Sequence, residues 1–311
     1  MSKLPYKKPP LSIENQLKLL SKRGMIISDQ ARAKRYLSFI SYYRLSGYWF
    51  PFQHRDDSPA HDDFQPGTNF DTILDRYVFD RQLRVLIMDA VERIEVAART
   101  TISNTLCTAL NNSRWYLESR HFVEKFDHNE FLSRVEQELQ KQQKDAAFLR
   151  HYQEKYDSTE KPPSWIAFEV LPFGMVSRIF AHLYPSEQKI IAGLFGLPHE
   201  RLRSWLHAVS HLRNLCAHHH RVWNRKFRIN PSVPKNYRDH ATLPNHFYGH
   251  AVAIQMFLKR VSGATHWADR LQTLLEDHPN IPHHLMGFPD HWHQEPVWQT
   301  KTTESLRPAS N

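Results

Sequence analysis

Cysteine, glycine and long apolar runs are all scarce in this sequence, and each scarcity argues against a class of protein. The 311 residues contain two cysteines, Cys107 and Cys216, far apart and without a Cys-x-x-Cys pair. A disulfide scaffold or a cysteine zinc site is therefore not expected. The nine glycines form no phosphate-cradling loop. No run reaches the ~18 apolar residues that a bilayer span requires. The opening Met-Ser-Lys-Leu-Pro-Tyr-Lys-Lys-Pro-Pro lacks the apolar centre of a signal peptide. Those features lead to the expectation of a cytoplasmic protein with no membrane role. Period-two alternation of useful length and internal repeats are missing as well.

What is present is helical. Hydrophobic residues make up 41% of the chain and aromatics 12%, enough for a packed core. Lys and Arg total 41 against 32 Asp and Glu, a formal charge of +9. Such a surface attracts polyanions, nucleic acid first among them, although many basic proteins have no nucleic-acid role. After a flexible basic lead-in over 1–12, Ile13, Leu17 and Leu20 mark a short helix capped by Ser12 and closed by Gly24. A second helix follows from Asp29. Tyr42 to Trp49 is an aromatic-rich run that reads as a core segment ending at Pro51. Its alternative is a phosphate or base contact by Arg44 with Tyr42 or Tyr43.

The longest helical pattern runs from Phe70 to about Leu110, with Ile73, Tyr77, Leu83, Ile87, Ala90, Ile94, Ala97 and Thr101 on one face. Charged residues on its other faces, Glu92, Arg93, Glu95 and Arg99 among them, pair along the surface or within a bundle. Helical spacing alone does not choose between the two. Further helices are expected over Asn129–Tyr156, through Trp165 to Leu183, over Glu187–Phe195 behind a Ser186 cap, and over about 246–262 and 266–277. Ser158 to Pro163 reads as a joint but not a domain boundary, because the apolar segments after it need earlier helices as partners. Trp292 and Trp298 are expected to tie the C-terminal segment down. The reading is all-α, a single helical domain over 13–299 followed by a flexible tail over 300–311.

The chain is organised around Ser210 to Arg225, which holds four histidines, three arginines and two asparagines on the tail of a helix expected to start at Leu197-Pro198 and to end after Arg225. With 100° per residue, Leu202, Trp205, Leu206, Val209, Leu212 and Cys216 share a core-facing sector. Arg203, His207, His211, Asn214 and His218 share another, within about 80° of one another. Asn214 and His218 are an i,i+4 pair, which lets the amide orient the ring. Arg213 stands about 140° from His218. Either its side chain bends round, or the helix deforms, or a second copy of the helix completes the site.

RNA carries its own nucleophile, the 2′-hydroxyl, so its cleavage needs no metal. A histidine near pKa ~6.5 moves the proton, and an always-charged guanidinium stabilises the pentavalent phosphorus. The rival is a zinc site on the i,i+4 pair His207 and His211 with His218, but no acid falls within 210–225. The bland alternative is a solvated basic face.

Arg213-Asn-Leu-Cys-Ala-His218 resembles the Arg-x4-6-His signature of HEPN-domain ribonucleases. Its extension through His219, His220, Arg221, Val222, Trp223 and Asn224 resembles the core of the AbiD/AbiF branch of bacterial abortive-infection proteins. So do Tyr42–Trp49, Tyr77–Arg84, Arg93-Ile-Glu95, Phe173-Gly174 and Met286-Gly-Phe-Pro289. The resemblance implies a HEPN-like helical bundle with additional N- and C-terminal helices and loops, usually dimeric. It implies a metal-independent endoribonuclease without cofactors, used in phage defence or as a toxin-like growth arrester. A partner RNA or protein sometimes restrains such enzymes, and some members bind RNA without cutting it. Carried over by position, Arg213 and His218 are catalytic and Asn214 supports them. The supporting or RNA-binding set is then His219, His220, Arg221, Trp223, Asn224, Arg203, His207, His211, Tyr43 and Arg44.

Overall fold

The computed structural model describes residues 5, 9–54, 61–156, 161–263 and 265–299. The expected tail over 300–311 and most of the lead-in before residue 9 lie outside the described residues, as does part of the joint at 158–163. Among the described residues the fold is all-α, with thirteen α-helices, short 3-10 turns and no strand. Strand-like pairing among the described residues is limited to isolated bridges such as Phe122 with Leu183. No helix is long and apolar enough to cross a membrane, among the described residues.

The chain clusters into two compact units, Met1–Gln82 and Leu83–Asn311. The first holds α1 (Ile13–Lys22), α2 (Gln30–Ile40), α3 (Tyr42–Trp49) and the opening turns of α4 (Phe70–Leu110). Its helix starts are chemically marked. Ser12 Oγ accepts from the Asn15 amide, Asp29 Oδ1 from Arg32 and Asn69 Oδ1 from Thr72, each satisfying an orphan N–H. The aromatic run forms α3 and divides by face. Leu45, Tyr48 and Trp49 are buried, and the Tyr48 hydroxyl donates to the buried Asp80 carboxylate at 2.6 Å. Tyr43 points outward at 89% exposure, and Arg44 is exposed beside it.

The second unit holds the rest of α4, then α5 (His128–Gln142), α6 (Ala147–Lys155), α7 (Ser164–Val170), α8 (Phe173–His182), α9 (Pro185–Leu194), α10 (His199–Ala217), α11 (Lys235–His240), α12 (Phe247–Val261) and α13 (Trp267–Glu276). Helix α10 packs against α8, α9 and α12, which makes it the unit's central helix. Its expected core sector is correct throughout: Leu202, Trp205, Leu206, Val209, Leu212 and Cys216 are all buried. Each large apolar side chain so buried contributes about 1.5–3 kcal/mol. Trp205 adds an indole N–H bond to the Ser232 carbonyl, 2.8 Å, fixing the segment after the site against α10.

Four local expectations are corrected. The pattern over Asn129–Tyr156 is two helices, separated between Gln142 and Ala147. Helix α9 starts at Pro185, not after Ser186, because a proline at the first helical position costs no hydrogen bond. On α4 the buried positions near the end are Ala98 and Ile102, with Ala97 and Thr101 only half-buried. A 41-residue helix is about 60 Å long, so its partners change along it and the buried face rotates. Helix α10, finally, ends at Ala217, eight residues before Arg225.

The C-terminal segment is tied down by its aromatics, as expected. Phe288, Trp292 and Trp298 form edge contacts around Tyr248 of α12, and the Tyr248 hydroxyl donates to Glu295. Gly287 makes the turn possible: its φ is +90°, and a Cβ there would stand 2.8 Å from the Leu243 carbonyl.

Candidate active site

Helix α10 closes in a hydrogen-bonded turn that shapes the site. His218 is the C-cap, donating its N–H to Asn214 O at 3.0 Å. The His219 amide donates to Cys216 O and the His220 amide to Leu215 O, at 3.0 and 2.8 Å. This is the Schellman pattern, and it puts His219 in the left-handed region with φ of +58°. The histidines therefore fan out from a turn instead of continuing down a helical stripe. His218, His219 and His220 are all exposed.

The loop after the turn is pinned from below. Val222 and Trp223 are wholly buried, so Trp223 anchors the loop instead of offering a surface for base stacking. Asn224 takes a second left-handed conformation with φ of +46°. Its carbonyl accepts from Arg221 Nη2 at 3.4 Å, and the Arg221 carbonyl accepts from Arg225 Nη1 at 3.3 Å. Two buried side chains thus hold a short loop that displays imidazoles and guanidiniums above it.

Arg213 turns toward α4. Its Nε lies 3.6 Å from Glu95 Oε2, an ion pair too long for a hydrogen bond, and this buried Nε has no hydrogen-bond partner. The Arg213 side chain is 37% exposed and that of Glu95 14%. The other oxygen of Glu95 binds Arg99, whose Nη1 also caps the carbonyl of Leu171 at 2.5 Å. One carboxylate therefore holds two guanidiniums, and Arg99 ties the group to the C-terminal end of α7. For Glu95 and Arg99 this is the bundled version of the α4 charge pairs, whereas Arg93 pairs along the surface with Asp89.

The expected Asn214–His218 contact is not formed. The Asn214 Oδ1 stands 3.5 Å from Arg213 Nη1, and the His218 ring makes no hydrogen bond or ion pair among the described residues. The i,i+4 spacing holds in the backbone, where the His218 N–H meets the Asn214 carbonyl, but the two side chains do not meet. Nor does any hydrogen bond or ion pair join Arg213 to His218, consistent with their angular separation.

The remaining residues of the stripe form a separate group. His211 is half-buried, and burial first, then Arg225, then His207 push its imidazole below the usual histidine range. The neutral form is favoured there. His207 and Arg203 are exposed one and two turns earlier. Among the described residues no three His, Cys, Asp or Glu side chains converge as a metal site needs. Tyr43 and Arg44 belong to the first unit.

Glu95 is the site residue that spacing did not single out. Its pairing with Arg99 was visible as an acid four residues before an arginine, but its pairing with Arg213 was not. A family model described as Abi-like protein matches residues 35–224, well over half of the chain. The match includes Glu95 and ends at Asn224, the last residue of the candidate set. No curated protein and no solved structure matches.

Proposed function

The chain belongs to the Abi-like protein family, and from that premise we propose that it is a metal-independent endoribonuclease of HEPN type, acting in abortive infection or as a toxin-like growth arrester. One observation carries the reading: Arg213 is held half-exposed by Glu95, with donor capacity unused, beside a helix end that displays His218 without a partner. A guanidinium so placed binds the scissile phosphate and stabilises the charge that builds on it. His218 takes the 2′-hydroxyl proton or returns one to the leaving 5′-oxygen. Asn214, at the Arg213 guanidinium, orients it. His220, Arg221 and His219 extend the cationic surface along the RNA backbone.

General acid and base are both needed, and Arg213 and His218 do not touch within one chain. A homodimer with the α10 ends facing each other supplies two of each. This favours a site shared between protomers, with RNA as substrate.

The test incubates purified full-length protein with mixed RNAs, with and without a chelator, beside Arg213→Ala and His218→Ala. Cleavage that survives chelation and is lost in both variants is the expected result. RNA binding without cleavage by the parent protein contradicts it and favours a non-catalytic RNA-binding module. Mixing the two inactive variants is expected to restore part of the activity through hybrid dimers. Demonstrated subunit exchange without recovery would place the site in one chain.

A further inference from the structure

Seven of the eight tryptophans are buried to 5% exposure or less, while Trp165 on α7 is 47% exposed. A tryptophan presents a large apolar face, and its exposure acquires meaning from its neighbours. Trp165 forms one wall of a cleft of about 180 Å³, with Arg99, Thr100 and Asn104 of α4 and Glu169 of α7 around it. This is smaller than the roughly 300 Å³ and upward of drug-sized pockets, and it suits one planar ring system.

The floor of the cleft is rigid. Ser103 and Ser164 share a hydroxyl bond of 2.8 Å, and Cys107 lies 3.0 Å from the same Ser164 oxygen. Arg99 is used up by Glu95 and by the carbonyls of Phe168 in α7 and of Leu171 just after it. By contrast the Glu169 carboxylate, the Asn104 amide and the Thr100 hydroxyl have no partner among the described residues. An aromatic face flanked by unused donors and acceptors is how proteins take hold of an unstacked RNA base.

We propose that this cleft is a nucleobase subsite which stacks a single RNA base on Trp165 and reads its Watson–Crick edge with Glu169, and that the base is guanine. A carboxylate accepts only, and guanine alone offers two adjacent donors, N1–H and the N2 amino group, to its two oxygens. Asn104 and Thr100 supply the donors for the guanine O6 or the ribose. The subsite is linked to the candidate active site by Glu95, whose two oxygens hold Arg99 at the cleft and Arg213 at the phosphate site. A guanine seated there selects which phosphate of the chain meets Arg213. The proposal rests on the RNA reading of the chain, and it does not require that the chain cut RNA.

Because Trp165 is the one exposed tryptophan, it reports on its own cleft. Acrylamide quenching of tryptophan fluorescence, excited at the red edge, is measured on full-length protein with each of the four ribonucleoside 5′-monophosphates and with inorganic phosphate. The expected result is that GMP shields the quenchable fraction at least several-fold more effectively than AMP, CMP or UMP, and phosphate not at all. Glu169→Gln should abolish that preference while leaving quenching of the free protein unchanged, which shows the fold intact. Trp165→Phe should remove most of the quenchable signal. Equal shielding by all four nucleotides, shielding by phosphate alone, or no shielding at millimolar nucleotide overturns the subsite. Loss of RNA cleavage in the parent protein with guanine shielding retained would overturn the nuclease reading and leave the subsite standing.

Discussion

Helices α1 and α10 end in the same hydrogen-bonded turn, and they fill its left-handed position differently. At the end of α1 the Met25 amide returns to Leu20 O and the Gly24 amide to Ser21 O, with Gly24 at φ of +91°. At the end of α10 the same two bonds close over His219. Glycine bears no penalty there, whereas a residue with a Cβ loses roughly 1–2 kcal/mol. The first end is built for folding alone. The second tolerates strain to place a side chain, in the middle of the residues that the family match ends upon. Strain of this kind gathers at functional sites, and of the six non-glycine residues with positive φ among those described, His219 and Asn224 fall in the candidate site.

The largest effect that would sharpen this contrast is on chemistry. Removing His218, whose exposed ring makes no hydrogen bond or ion pair among the described residues, is expected to lower RNA cleavage by about 10²–10⁴-fold while changing stability by no more than about 0.5 kcal/mol. Cleavage rates and thermal unfolding of His218→Ala check both halves. An unfolded variant, or one with normal activity, would break the contrast.

A second imidazole shows what a histidine serving the fold looks like. His250 of α12 is wholly buried, 4.4 Å from the Phe227 ring and 3.1 Å from the Ile229 carbonyl, and burial pushes its pKa down to about 4. An unfolded chain takes up this proton near pH ~6.5, the folded one only near 4. Below pH ~6.5 the unfolded state therefore binds more protons, and stability present above that pH is lost as pH falls toward 4. The loss attributable to His250 amounts to about 3 kcal/mol. Denaturant titrations between pH 7 and 4 should show it, with a shallower dependence in His250→Phe.

Glu95 joins the two concerns. Glu95→Gln leaves Arg99 and Arg213 without their shared counter-charge, and a loss of about 2 kcal/mol is expected, below the range for fully buried pairs because Arg213 is part-exposed. Cleavage should fall with it, since Arg213 loses its tether. Stability lost with cleavage unchanged would make Glu95 a fold residue only.

The smallest effect concerns the two turns themselves. His219→Gly is expected to raise stability by about 1 kcal/mol, and Gly24→Ala to lower it by a similar amount. Paired urea unfolding curves measure both. If His219→Gly destabilises the protein, its ring contributes more to the fold than its backbone conformation costs.

Much of this architecture is readable from spacing. Period 3.6 located α4 from Phe70 to Leu110 and sorted the buried face of α10 from its exposed one, because those helices bury one stripe against large partners. The end of α10 was hidden for a physical reason. Nothing in the run His218-His-His-Arg221 forbids a helix, and the residue that stops it is a histidine where glycine is the usual signal. The break after Gln142 was hidden likewise, since no glycine or proline stands there. Glu95 escaped as a site residue because an ion pair across 118 residues of sequence leaves no trace in local pattern. The unmade Asn214–His218 contact was hidden because i,i+4 spacing brings two side chains near each other without fixing their rotamers.

The most direct measurement places a single 2′-deoxy substitution at a cleaved position of a defined RNA and follows the reaction in chelator. If Arg213 and His218 drive attack by the RNA's own hydroxyl, the all-ribose RNA is cut to a 2′,3′-cyclic phosphate and the substituted one stays intact at that bond. Cleavage of the substituted bond, or a requirement for added metal, would contradict it.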